Sequence, residues 1–218
     1  MWPFRKYNPL GAFTFAGFVD CHSHILPGVD DGVQTLEEAL SILARYEALG
    51  VAEVWLTPHI MEDMPNTPPQ LRARLAELQA AYDGGVQLHL AAENMIDPLF
   101  AERLACGELL PFGAQGDRLL VETSYFNPPI AFYDTLQQIR TKGFTPLLAH
   151  PERYMYMDRA DYGRLKELGV EFQLNLLSLT GFYGKPVREK AEWLRRNGFY
   201  ACSGTDLHGL EMLGHLTR

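Results

Sequence analysis

Two hydrophobic patterns alternate along this chain. Short continuous apolar runs fall at residues 15–19, 51–57, 86–92, 118–121, 145–149, 170–176 and 199–203. Between them lie longer stretches whose apolar residues recur every three or four positions. The first pattern suits strands buried on both faces, and the second suits amphipathic helices. The helical stretches carry their own boundary signals. At 33–50, Thr35 with Glu38 makes a capping box, Leu36, Leu40 and Leu43 trace one face, and Gly50 ends the helix. At 67–82, Thr67 caps, Pro68 suits the first turn and Gln70 completes the box. Asp97-Pro98 opens a short helix to about 105. Helices at 130–142, 159–168 and 186–197 are each followed by a glycine (Gly143, Gly169, Gly198).

Seven strands alternating with helices favour right-handed crossovers and a parallel sheet, an α/β fold. Polar residues close six of the seven strands: His22/His24, His59, Glu93, Glu122, His150 and Asp206/His208. An open sheet would spread these ends along an edge. A closed or nearly closed barrel brings them to one rim, so the expectation is a distorted seven-stranded (β/α)7 TIM-like barrel.

The 218 residues are 47% apolar and 21% charged, which fits one globular domain over 18–218 behind an N-terminal arm, 1–17. The arm carries Arg5 and Lys6 and is interrupted by Asn8, Pro9 and Gly11. Its apolar part is too short to cross a bilayer, so neither membrane insertion nor a signal peptide is expected. A net charge of -8 disfavours nucleic acid as a partner. Cys21, Cys106 and Cys202 are odd in number and scattered, which points to a reducing, cytoplasmic setting. Each lacks an arginine within the next ten residues, so a cysteine-based phosphatase loop is absent. No P-loop motif is present either.

Five of the seven histidines (His22, His24, His59, His150, His208) follow strand ends, whereas His89 and His215 are placed as structural residues. Alone, His22-x-His24 is a weak motif that two solvated loop histidines would also satisfy. With Asp31, Glu93, Glu122 and Asp206 the set reaches nine N and O ligands, more than one tetrahedral ion needs. Two or three bridged ions fit better, and manganese, iron or zinc suits such mixed sites.

Taken together, His22-x-His24, Thr57-Pro58-His59, Glu93, Glu122, His150-Pro151-Glu152-Arg153 and Asp206-x-His208 resemble the motif set of the polymerase-and-histidinol-phosphatase (PHP) metallophosphoesterases. Within that superfamily the runs from His22 to Gly32, Leu148 to Tyr154 and Leu174 to Gly181 are similar to the capsule-type bacterial protein-tyrosine phosphatases. The resemblance implies a PHP fold with three ions, manganese first among the choices. One ion would take His22, His24, Glu93 and Asp206; a second Glu93, Glu122 and His150; a third Asp31, His59 and His208. It implies catalytic roles for Arg153, as the phosphate-binding group, and for His59 and His208. It further implies hydrolysis of phosphotyrosine by water that the ions acidify. The partner would be a phosphotyrosine protein such as an autophosphorylated bacterial tyrosine kinase, with a link to capsule or exopolysaccharide regulation. One departure stands out. Where that branch carries an arginine shortly after Asp-x-His, this chain reads Gly209-Leu210-Glu211-Met212, and a carboxylate there would repel phosphate. Three other readings stay open: a phosphatase of a small phosphate monoester, a nuclease, and a metal-holding interaction module without turnover.

Overall fold

A computed structural model describes residues 13–217. Residues 1–12, most of the expected arm, lie outside the described part. Of the remainder, Phe13, Phe15 and Phe18 pack edge-to-face with centroids 5.0, 5.2 and 5.8 Å apart.

The strands are β1 (Val19–Ser23), β2 (Glu53–Leu56), β3 (His59–Ile60), β4 (Gln87–Leu90), β5 (Glu93–Met95), β6 (Arg118–Glu122), β7 (Thr145–Ala149), β8 (Glu171–Asn175) and β9 (Tyr200–Gly204). The helices are α1 (Leu36–Leu49), α2 (Pro68–Ala81), α3 (Phe100–Cys106), α4 (Phe132–Thr141), α5 (Arg159–Glu167), α6 (Leu176–Thr180), α7 (Lys185–Arg196) and α8 (Leu210–Leu216). Every predicted helix is present, trimmed by one to three residues at most ends. The capping chemistry explains the boundaries. Thr35 Oγ1 accepts the Glu38 N–H at 3.2 Å, Gly50 adopts φ 82°, and Gln70 Oε1 accepts the Thr67 N–H at 3.1 Å. The short helices α6 and α8 escape the sequence reading because neither is long enough to show a period.

All strand pairs in the two sheets are parallel, in the orders β1-β2-β4 and β3-β5-β6-β7-β8-β9. The α/β class therefore holds, but the ladders form two sheets and no closed seven-stranded barrel is found among the described residues. The reason lies in two breaks. The runs expected at 51–57 and 86–92 each pair in the smaller sheet, bend, and resume in the larger one. Pro58 removes an amide donor between β2 and β3, and Ala91-Ala92 separate β4 from β5. At the far side β9 returns to β1 through single bonds, Asp206 N–H to His22 O at 2.8 Å and His24 N–H to Leu207 O at 3.0 Å.

A buried carboxylate locks that seam. Asp20 accepts from Tyr46 Oη at 2.6 Å, Thr205 Oγ1 at 2.7 Å and Thr205 N at 2.8 Å, tying β1 to α1 and to the segment after β9. Burial raises its pKa even though each of these bonds lowers it. Tyr46→Phe deletes one buried donor and should cost about 1–3 kcal/mol of unfolding free energy in a denaturant titration. A change under about 0.5 kcal/mol would show that the seam does not depend on it.

Candidate metal centre

The strand ends converge because alternate residues of β1 face one way. His22 and His24 stand i, i+2, fully buried, with their Nε2 atoms 3.0 Å apart. Glu93 Oε2 lies 3.2 and 3.3 Å from those atoms, and Asp206 Oδ1 lies 3.4 and 3.3 Å from them. Ligand atoms about 2.0 Å from a shared tetrahedral centre stand about 3.3 Å from each other. These four residues can therefore hold a small divalent cation with little rearrangement.

Two further groups adjoin the first. His59 Nδ1 sits 3.2 Å from Glu93 Oε2 and 3.0 Å from Glu122 Oε1. Its other nitrogen, Nε2, lies 3.5 Å from Asp31 Oδ1, which is also 3.5 Å from His208 Nε2. Ligand-capable atoms thus cluster as His22/His24/Glu93/Asp206, His59/Glu93/Glu122 and His24/Asp31/His59/His208. All nine residues singled out from the sequence come together, with two regroupings, one of which adds His24 to Asp31, His59 and His208. His59 stands with Glu93 and Glu122 where His150 was expected, and His150 Nε2 approaches Glu93 Oε1 at 3.0 Å. His59 Nδ1, Glu93 Oε2, Glu122 Oε1 and His150 Nδ1 are buried and have no hydrogen-bond partner. Polar atoms left that way cost on the order of 1–3 kcal/mol each. Three of them, on His59, Glu93 and Glu122, stand together in one of the ligand-capable groups and are the donor set a cation would satisfy.

A second layer fixes the imidazoles. Gln173 Oε1 accepts the His150 N–H at 3.1 Å, so His22 Nδ1, 3.0 Å from that oxygen, must donate, and its Nε2 lone pair is left for the centre. Asp30 Oδ2 accepts from His24 Nδ1 at 2.8 Å with the same effect. Asn175 Nδ2 donates to Asp206 Oδ2 at 2.7 Å. The sequence reading missed Gln173, Asn175 and Asp30. The polar alternation Gln173-x-Asn175 inside β8 is the available signal, and in the sequence Asp30 is indistinguishable from its neighbour Asp31. His89 is structural as expected, pairing with Glu53 at 3.0 Å. His215 packs on Phe182.

Local backbone is spent on this arrangement. His150 (φ 32°) and Asp206 (φ 52°) occupy the left-handed region, a strain of about 1–3 kcal/mol each. A Cβ on Gly204 would come within 2.6 Å of the His22 N and Cβ, so only glycine lets β9 pass so close.

Charge balances inside the cluster. Burial disfavours protonated His22, but Glu93 and Asp206 outweigh it and raise its pKa to about 9. His24 is likewise raised against burial, chiefly by Asp30. Glu93 and Asp206 stay well below the ordinary carboxylate range despite burial, because His22 faces both. The His208 hydrogen bond takes Asp31 down to about 2.

A cavity of about 310 Å³ opens onto the cluster, lined by Asp31, His59, Glu93, Tyr125, His150, Arg153, Tyr183, Asp206, His208 and Met212. Arg153, from the 3-10 turn Pro151–Arg153, donates from Nη1 to Asp206 Oδ2 at 2.7 Å. Glu211 is exposed near the start of α8 and does not line this cavity; Met212 does.

Comparison with known proteins bears on this geometry. A family model described as "Capsular polysaccharide synthesis, CpsB/CapC" matches residues 18–212. The tyrosine-protein phosphatase CpsB of Streptococcus pneumoniae is 28% identical over 207 residues, covering 88% of this chain and 84% of the relative. The tyrosine-protein phosphatase YwqE of Bacillus subtilis is 26% identical over 176 residues, covering 78% and 69%. A chain from the crystal structures of YwqE from B. subtilis and CpsB from S. pneumoniae, described as metal-dependent tyrosine phosphatases, superposes with a TM-score of 0.81 at 24% identity, covering 89% of this chain and 81% of that one. A lactonase from Listeria monocytogenes also superposes, at a TM-score of 0.54 and 13% identity over 92% of this chain and 82% of its own. Both superpositions speak to fold alone.

A divalent cation at about one hundred times its Kd should stabilise the chain by about 2.7 kcal/mol, a Tm rise of several degrees. Chelator or His22→Ala should remove it. The cation must displace the protons on His22 and His24, so its affinity should be higher at pH 8.5 than at pH 6.5, with proton release in calorimetry. Affinity that falls with rising pH would contradict this protonation scheme.

Proposed function

This chain belongs to the CpsB/CapC family, and from that membership and its site we propose that it is a metal-dependent protein-tyrosine phosphatase tied to capsular or exopolysaccharide regulation. The observation that carries the proposal is the convergence of three ligand groups and one arginine on a single cavity. We assign the three groups to three divalent ions. Manganese is the first choice, and iron or zinc is compatible with the same N and O donors. Ions of this class supply Lewis acidity and a nucleophilic water at neutral pH.

The chain's own residues do the rest. Gln173 and Asp30 hold His22 and His24 with Nε2 inward. Arg153 is kept in place by Asp206 and offers its remaining N–H donors to the phosphate oxygens, where a guanidinium fork matches best. His59 presents one nitrogen to each of two groups, and His208 lines the cavity beside Asp31. A phenolate leaving group, with a pKa near ~10, departs with little acid assistance. Because Glu211 is exposed to solvent and does not line the cavity, its charge is screened from phosphate bound there.

The substrate reading draws on shape. An open groove of about 710 Å³ shares Asp31 with the catalytic cavity and runs along Gln34, Asp63, Asn66 and Gln70. A polypeptide needs such space and a small ester does not. An autophosphorylated tyrosine kinase in the cytoplasm is the partner this reading favours, and no described helix is long and apolar enough to cross a membrane. We also read residues 18–218 as one domain, its two sheets being halves of a distorted seven-stranded barrel. The support is a shared inner cluster of Cys21, Trp55, Leu120, Leu147, Ala149 and Cys202 from five strands.

The test is hydrolysis of a phosphotyrosine peptide by manganese-loaded protein beside a panel of small phosphate esters. Peptide turnover should vanish with chelator and fall at least ~10³-fold in His22→Ala. Arg153→Lys should lose about 10²-fold through the missing fork. Turnover of small esters without the peptide would overturn the tyrosine assignment, and no turnover of either would overturn catalysis.

A further inference from the structure

We propose that Tyr125 and Tyr183 are positioning residues that hold Arg153 for phosphate and make the site select aryl over alkyl phosphate esters. This rests on the phosphatase reading above and extends it to two residues that have no ligand role.

The Arg153 Cζ lies 4.4 Å from the Tyr125 ring centroid and 4.2 Å from that of Tyr183. Three separate segments build this contact. Tyr125 follows β6, Tyr183 lies between α6 and α7, and Arg153 follows β7. The first and third are tied together, since Tyr125 O accepts the Met155 N–H at 2.7 Å. The second is tied to the cluster, since Asn175 Nδ2 reaches both Tyr183 Oη at 3.3 Å and Asp206 Oδ2 at 2.7 Å. Both tyrosines line the catalytic cavity.

An arginine on a flexible stem normally samples many rotamers. Rings against the guanidinium and the Nη1 bond to Asp206 leave it one orientation, so its free N–H edge is presented before substrate arrives. The same placement sorts esters. Phosphate held at Arg153 puts the ester group beside two aromatic walls. A phenyl ring gains edge or offset contacts there that a serine or glycerol ester lacks. Tyr125 meets Arg153 through its ring, so phenylalanine should substitute and a branched aliphatic should not.

The experiment uses manganese-loaded full chain in wild type, Tyr125→Leu, Tyr183→Leu, their Phe counterparts, and each Leu change combined with Arg153→Lys. Inorganic phosphate binding is read by calorimetry, which requires no turnover. Phosphotyrosine and phosphoserine peptides of one sequence are read by kcat and KM. Each Leu variant should weaken phosphate about fivefold to tenfold and lower the phosphotyrosine-to-phosphoserine ratio of kcat/KM by a similar factor, while Tyr125→Phe stays within twofold and Tyr183→Phe, which loses its bond from Asn175, falls between the two. In the Arg153→Lys background the Leu changes should add less than twofold to the phosphate loss, because they act through that arginine. If a Leu variant fails to fold, Tyr→Met replaces it and is held to the same numbers. Folded ring-less variants with phosphate affinity and ester ratio within twofold of wild type would overturn the proposal. Weakened phosphate binding with neither peptide hydrolysed would instead sink the phosphatase reading and leave the positioning role standing.

Discussion

Glu93 is the point on which the rest of this structure depends. Its buried carboxylate is 3.0 to 3.3 Å from four imidazoles, those of His22, His24, His59 and His150. A carboxylate taken out of water needs hydrogen-bond donors, positive charge or a cation to compensate it, and around Glu93 the compensating groups are imidazoles. No single strand can deliver four imidazoles to one carboxylate. Parallel strands that all end on the same side can, which is why the α/β topology and the chemistry are inseparable here. The seam between β1 and β9, closed by Asp20, Tyr46 and Thr205, places His22 against Asp206 and completes the first ligand group.

Function then follows from which atoms remain uncommitted. Asp30 and Gln173 use up the outer nitrogens of His24 and His22, and Asn175 and Arg153 both use Asp206 Oδ2. What is left facing inward is a set of lone pairs suited to divalent ions, with a guanidinium edge beside it. The positive backbone angles of His150 and Asp206 fit this view. Strain at these two residues persists because the surrounding packing determines their geometry, and it lies beside the candidate ion-binding groups.

Much of this was legible in the sequence. The polar ends of six strands point to eight of the nine clustered residues, since side chains following parallel strands must gather at one rim, and Asp31 comes from the loop after the first of them. The helix boundaries were legible from Thr35, Gly50, Thr67 and Gln70, whose local hydrogen bonds need no tertiary context. The closure was not. Pro58 breaks one strand and Ala91-Ala92 another, and the pairing of the broken halves is a long-range property without a local signal. The second layer was also hidden, because a glutamine and an asparagine within β8 look like ordinary polar alternation until His22 and Asp206 are placed against them. The exchange of His59 for His150 in the second group has the same origin. One imidazole with two nitrogens can serve two neighbouring groups, and only coordinates show that it does.

The most direct test of the central claim is anomalous scattering from crystals grown with manganese. Peaks are expected within about 2.0–2.3 Å of His22 Nε2, His24 Nε2, Glu93 and Asp206, with further peaks near Glu122 and near Asp31 and His208. No peak within bonding distance of Glu93 in manganese-saturated crystals would contradict the claim.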